Sequence, residues 1–165
     1  MIPIKNRKKT LEVTVEEMRN FSFSYIEKYA PSKQQLKTYL LKKYLKTTIP
    51  TVKKEEVKNL IDIVLKDLEE TKFISDKFYS ESKSRSLIQK GSSINKIRNY
   101  LISKGINDHY IKETIDKIKD DNSDQDFFSG IKVCKKKRIG PARTQDNRPL
   151  FYKKDISLLA RNGFD

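Results

Sequence analysis

A stretch of fourteen residues occurs twice in this chain, and this repeat is the strongest constraint on its fold. Segment 32–45 aligns without gaps on segment 93–106, at an offset of 61 residues. Four aligned positions are identical, and they are Ser32/Ser93, Tyr39/Tyr100, Leu40/Leu101 and Lys43/Lys104. A shorter echo, 159–164, aligns on 101–106. Self-similarity at a fixed period is typical of stacked helical repeats.

Between the chain breaks, apolar residues recur at helical spacing, and strand-type alternation is nowhere sustained. Thr14 with Glu17 and Ser32 with Gln35 form capping boxes, which mark the starts of two helices. Later breaks predict N-caps at Ser92 or Ser93 and at Asp108, and a left-handed C-cap at Gly91. An exposed loop is predicted over 142–151, and a last helix from about 152 to 162.

These breaks predict an all-α fold of tandem three-helix repeats that form an elongated, curved helical array. A basic tail over 1–13 precedes an extended first repeat over 14–72, and a second repeat covers 74–120. The remainder, 124–165, begins a third repeat that is incomplete at its C-terminus. Long surfaces suit extended partners better than small substrates, so the pattern favours a binding protein over an enzyme.

The net charge of +14 is concentrated at the two ends of the chain. Residues 1–10 carry +4 and residues 130–165 carry +7, whereas the 119 residues between them carry only +3. Basic segments flanking a balanced middle indicate contact with a polyanion. A solubilising surplus of charge is the alternative.

Residues that carry enzyme chemistry are scarce. Cys134 is the single cysteine and His109 the single histidine, and the sequence contains no P-loop, nucleophile elbow or His-Glu-x-x-His motif. We predict that Cys134 is a small core residue and that His109 lies at the surface in a helix first turn. No catalytic residue, cofactor or metal is therefore expected. The single cysteine suits a reducing cytosol, and no apolar run approaches the length of a membrane span.

Two groups of basic residues are the candidate contacts for a partner or a nucleic acid. Four consecutive bases on a helix cannot all serve one packed face, so some of them must face solvent. The first group is Lys135, Lys136, Lys137 and Arg138, with Arg143 beyond it. The second group is Arg85, Lys90, Lys96, Arg98 and Lys104. Both groups would position a polyanion without reading bases. The competing interpretation is a solvated helix end and ordinary surface lysines.

The repeated tyrosines could stack on nucleic-acid bases, but core packing is the favoured interpretation. Tyr39 and Tyr100 each precede a leucine in the helical stripe. Phe78 and Tyr79 are predicted to pack in the core for the same reason.

Several segments, in order, resemble the RecX family. Residues 68–79 resemble its junction, with a leucine, a short polar turn, then an apolar residue, Asp76 and Phe78. Gly91 and the basic-Gly-apolar helix end 104–106 fall where the family's second repeat has them. Segment 135–143 is similar to the basic Gly-Pro start of the third repeat, and 158–164 to its later helix.

The resemblance implies a cytoplasmic regulator that binds the RecA recombinase filament on single-stranded DNA. It implies inhibition of filament growth, ATP hydrolysis, strand exchange and co-protease activity, with weak direct DNA contact. A monomer is the expected state. The chain departs from the family in a first repeat that is about ten residues longer over 47–59, and in a third repeat without its closing helix. The alternative function is a stand-alone basic helical module that binds nucleic acid without a recombinase.

Overall fold

The described part of the chain, residues 11–47 and 54–164 of a computed structural model, is helical and contains no strand. This confirms the predicted all-α class. The predicted basic tail lies outside the described residues except for 11–13, as does the stretch 48–53 of the extension. The helices are α1 (Val15–Tyr29), α2 (Lys33–Thr47), α3 (Lys54–Glu70), α4 (Asp76–Gln89), α5 (Ile94–Ser103), α6 (Asp108–Asp121), α7 (Gln125–Lys137) and α8 (Asn147–Arg161), with a 3-10 turn at Gly140–Ala142.

Two compact units make up the chain, with the division between Ser75 and Asp76. In unit 1, α1, α2 and α3 pack against one another around a core that is closed to water. The largest fully buried side chains there include Tyr44, Met18, Leu36, Leu40, Ile61 and Leu65. In α3 the apolar residues recur every three or four positions, so one face of the helix is buried and the opposite face carries charge.

Unit 2 contains α4 to α8. Its core lies among α4, α5 and α6 and is formed by Tyr79, Ile94, Ile97, Leu101, Ile106, Ile111 and Ile115. The prediction that Phe78 belongs to this core is wrong, because its side chain is 70% exposed. Adjacent helical residues differ by about 100° in direction, so burial of Tyr79 turns its neighbour outward.

Most predicted caps have the expected geometry. The Glu17 N–H donates to Thr14 Oγ1 at 3.2 Å. At α2 the box is reciprocal, since Gln35 N–H donates to Ser32 Oγ (3.2 Å) and Ser32 N–H to Gln35 Oε1 (3.1 Å). Ser93, not Ser92, caps α5. The cap predicted at Asp108 is wrong, because Asn107 accepts the N–H two residues later and Asp108 becomes the first helical residue.

Three helices end in the same glycine motif. Gly91, Gly105 and Gly163 have φ of +80°, +70° and +81°. At each site the glycine N–H and the following N–H turn back to carbonyls of the last helical turn, with N–O distances of 2.8–3.2 Å. This Schellman geometry confirms the cap predicted at Gly91 and explains the echo between 159–164 and 101–106.

The helix starts follow the offset of the repeat. α1 and α4 begin at residues 15 and 76, and α2 and α5 begin at 33 and 94, so both pairs are 61 residues apart. Ser32 and Ser93, the residues before α2 and α5, are both fully buried. The tandem arrangement of three repeats stays a prediction.

The last helix begins five residues before its predicted start, so the exposed loop predicted over 142–151 is wrong for 147–151. Pro149 falls in the first turn of α8, where its missing N–H would have no partner in the helix anyway. The Asn147 and Arg148 N–H groups donate to the carbonyls of Thr144 and Gln145, which winds the chain into the helix.

Candidate partner-binding surface

The basic run 135–138 occupies the C-terminal end of α7, and all four of its side chains are exposed. Arg138 ends the helix in the left-handed conformation, with φ of 52°. The next N–H, from Ile139, donates to the carbonyl oxygen of Cys134 at 3.0 Å. Cys134 and Ile139 are both buried, so the run is a short exposed segment anchored at each end in the protein.

Cys134 has the core position predicted for it. The residue is 8% exposed, and burial, followed by the nearby charge of Asp155, raises the pKa of its thiol. A thiol with a raised pKa is a poor nucleophile at neutral pH. His109 lies at the surface in the first turn of α6, as predicted, and its N–H donates to Asn107 Oδ1 at 2.9 Å.

Arg143 is turned toward the protein by Asp155, a residue that no sequence pattern singled out. Its Nε and NH2 groups donate to the two carboxylate oxygens at 2.6 and 2.8 Å, and the guanidinium lies 4.4 Å from the centre of the Phe151 ring. The Gly140 N–H donates to the same carboxylate at 2.8 Å. Arg143 and then the Gly140 N–H hold the pKa of Asp155 at about 2. Whether Arg143 also contacts a partner stays a prediction.

The five basic side chains of the second predicted group differ in their exposure and in the residues that they contact. Lys90 and Arg98 are exposed, while Arg85 is exposed and lies 3.4 Å from Glu81. Lys96 donates to Asn162 Oδ1 at 2.9 Å, and Lys104 is half-buried over the ring of Tyr100.

The repeat-equivalent lysines share a contact with an aromatic ring. Lys104 lies 5.2 Å from the ring centre of Tyr100, and Lys43 lies 5.9 Å from that of Tyr39 and 3.6 Å from that of Phe21. Tyr39 also stacks on Tyr25 at 4.1 Å, and both repeated tyrosines pack against the hydrophobic cores, in agreement with the favoured interpretation. These lysines stabilise their own units through cation–π contacts.

The start of α5 holds the end of α8 in place. Ser93 Oγ donates to the carbonyl of Asn162 at 2.7 Å and accepts the Lys96 N–H at 3.1 Å. Asp126, at the start of α7, accepts the Ile94 N–H at 2.7 Å. These bonds fix α7 and α8, and with them the basic run, to the α4–α6 core. They join residues that are far apart in sequence, and no spacing in the sequence indicated them.

Among the described residues, no group of three or more His, Cys, Asp and Glu side chains is arranged to hold a metal ion. None of the described helices combines the length and the apolar character that a bilayer crossing requires.

The chain is similar to a bacterial regulatory protein. It is 26% identical over 159 residues to "Regulatory protein RecX" of Myxococcus xanthus (strain DK1622), and the match covers 95% of this chain and 84% of that protein. No protein-family model and no solved structure matches the chain.

Proposed function

We propose that this protein regulates a RecA-type recombinase by binding its filament on single-stranded DNA. The observation that carries the proposal is the similarity to a RecX regulatory protein across nearly the whole chain. The ordered motifs of the RecX resemblance and the all-helical fold agree with it. The proposed outcome is inhibition of filament growth, ATP hydrolysis, strand exchange and co-protease activity. We also propose a cytoplasmic, monomeric and non-enzymatic protein, built from repeats over 14–72, 74–120 and 124–165.

The proposed mechanism is steric and electrostatic. Exposed bases would contact DNA phosphates and acidic residues of the filament, while helix faces bridge successive recombinase protomers. The run 135–138 is the best candidate for the charged contact, since its four side chains are exposed and carry no ion pair among the described residues. Lys90 and Arg98 suit the same role, because they are exposed, whereas Arg85 lies near Glu81 and Lys96 donates to Asn162.

The first test is a titration of the single-stranded-DNA-dependent ATPase of RecA with this protein. Inhibition well below one copy per recombinase protomer is expected, because blocking a filament end affects many protomers. Absence of inhibition at equimolar protein, with helicity intact, contradicts the proposed function.

The second test assigns the charged contact. Lys136→Glu/Lys137→Glu/Arg138→Glu should keep its helicity, because the three side chains are exposed, and should inhibit the ATPase at least about tenfold less potently. The matched control is Lys42→Glu/Lys54→Glu/Lys58→Glu, which makes the same change in net charge on exposed residues of α2 and α3. Full ATPase inhibition by the 136–138 variant, or an equal loss of inhibition in this variant and the control, argues against a role for the run.

The exposed basic run also supports a second candidate, a nucleic-acid-binding module that acts without a recombinase. The regulator predicts weak binding to bare single-stranded DNA that falls steeply with salt, and much tighter binding to the filament. The module predicts strong binding to bare DNA at physiological salt. For single strands the slope of log K against log salt is about −0.7 per phosphate contact. Loss of three contacts in the 136–138 variant should therefore reduce the slope by about 2.

A further inference from the structure

An apolar groove of about 560 Å³ lies within unit 2 between α7, the 3-10 turn and α8. The residues that line it include Phe127, Gly130, Ile131, Cys134, Leu159 and Phe164. Phe127, Ile131 and Cys134 recur at intervals of four and three residues, so they share one face of α7. No helix of the described residues covers this groove.

Further exposed apolar side chains lie on α7 and α8, the two helices that form the groove. Phe127 is 67% exposed and Phe128 48%, whereas Tyr152 and Ile156 of α8 are 64% and 46% exposed. Tyr152, Ile156 and Leu159 recur at intervals of four and three residues along α8. Large exposed apolar side chains beside an apolar groove are typical of an interaction site.

The charge around the groove is polarised. Lys135, Lys137 and Arg138 are exposed at the C-terminal end of α7, and Lys135 lies one turn beyond the groove residue Ile131. Asp126 lines the groove at the opposite end of α7, where its carboxylate accepts the Ile94 N–H. Residues 125–164 contain ten bases and three acids, a net charge of +7.

In unit 1 of this chain, a pair of helices is covered by a third helix that is amphipathic and carries acidic side chains. There α3 lies across α1 and α2, and its buried stripe is flanked by carboxylates. Asp62 pairs with Lys37 at 2.7 Å, Glu69 with Lys33 at 2.6 Å, and Asp67 with Arg19. In unit 2, two salt bridges join α4 to α6. Lys77 of α4 pairs with Glu113 of α6, and Lys117 of α6 pairs with Glu81 of α4.

We propose that the groove between α7 and α8 binds an acidic amphipathic helix of a partner protein. The helix would place its apolar stripe in the groove and acidic side chains beside the bases at the C-terminal end of α7. Helix-in-groove recognition of this type uses apolar anchors at i, i+3, i+4 and i+7. A second copy of this chain is disfavoured as the occupant, since two surfaces of the same positive charge would repel.

The probe is a fluorescein-labelled peptide with the sequence of α3, residues 54–70, which carries six acids, three bases and an apolar stripe. Fluorescence anisotropy with the intact protein should show saturable binding at about 50 mM salt that weakens at about 300 mM, because the rim charges are exposed. A peptide whose acids are replaced by Gln and Asn should bind at least about tenfold more weakly.

Variants of the protein locate the binding. Phe127→Ser removes an exposed ring that lines the groove, so it should leave the fold intact and reduce affinity at least about tenfold. The control is Ile102→Ser, which removes a side chain of α5 that is 54% exposed and not among the groove residues named above. Gly130→Leu should block the groove, whereas Gly130→Ala, whose Cβ would only contact the Phe164 ring at 3.8 Å, should retain binding.

Three results overturn the proposal. These are the absence of binding to the acidic peptide, equal binding by Phe127→Ser and the intact protein, and a concentration-dependent dimer that Phe127→Ser abolishes. The last assigns the groove to a second copy. The inference does not rest on the proposed function, because the assay contains neither recombinase nor DNA, and each can fail alone.

Discussion

Replacing Gly163 with alanine should destabilise unit 2 by about 1.5–4 kcal/mol. Gly163 has φ of +81°, where an L residue costs about 1–2 kcal/mol more than glycine. A Cβ there would lie 2.6 Å from Ser93 Oγ, which must move and so loses its bonds to the Lys96 N–H and the Asn162 carbonyl. Loss of a serine cap costs about 0.5–2 kcal/mol. The substitution therefore loosens the bonds that fix the end of α8 to α5.

Gly130→Ala is the matched control for this experiment. Gly130 lies within α7 and its added Cβ would make only an ordinary contact, so the variant should be more stable by about 0.5–1 kcal/mol. Urea denaturation followed by circular dichroism measures both effects, and hydrogen exchange at the α5 amides locates the first. The close approach of Gly163 to Ser93 is refuted if Gly163→Ala is as stable as the unchanged protein and its α5 amides are equally protected from exchange.

Three further predictions follow from the surroundings of single residues. Asp155 has a pKa of about 2 against an ordinary value of 3.8, so it stabilises the fold above pH 4 and this contribution is lost as the pH falls toward 2. The stability difference between the unchanged protein and Asp155→Asn, measured by denaturant midpoints, should therefore shrink over that interval, and a constant difference contradicts the assignment. Arg138→Gly relieves a left-handed arginine, so it should leave stability unchanged or raise it by up to about 1 kcal/mol, while weakening ATPase inhibition through the lost charge. Tyr79→Ala should cost about 3–5 kcal/mol and Phe78→Ala no more than about 0.5 kcal/mol, because only the first ring is buried; equal thermal shifts contradict this difference.

Local patterns predicted the helices well, because caps and helix ends depend on a few neighbouring residues. The reciprocal box of Ser32 and Gln35 and the left-handed Gly91 have the predicted geometry. The local errors have local causes too. Asn107 and Asp108 are both good caps, and the apolar spacing could not decide between them. Pro149 lies in the stretch that was predicted as a loop, although the first turn of a helix tolerates proline.

Contacts between distant residues were not predictable from the sequence. Arg143 resembles any exposed base until Asp155, twelve residues later, is brought against it by the turn at Gly140. The bond from Ser93 to the Asn162 carbonyl joins residues 69 positions apart. A single sequence gives the type and spacing of such residues but not their distance. The candidate partner surface was therefore predicted only as a set of charges.

Whether a base is paired with an acid says more about its role than the net charge of the chain does. In unit 1 the bases that face α3 are matched by its carboxylates, so they stabilise the packing of that unit. The run at the end of α7 has no acid opposite it among the described residues, and it lies beside an apolar groove that those residues leave uncovered. A charge surplus that served only solubility would need neither the groove nor the concentration of charge at one end of a helix. The combination is what an acidic partner surface would complete, which is why the groove and the charge run should be tested together as well as separately.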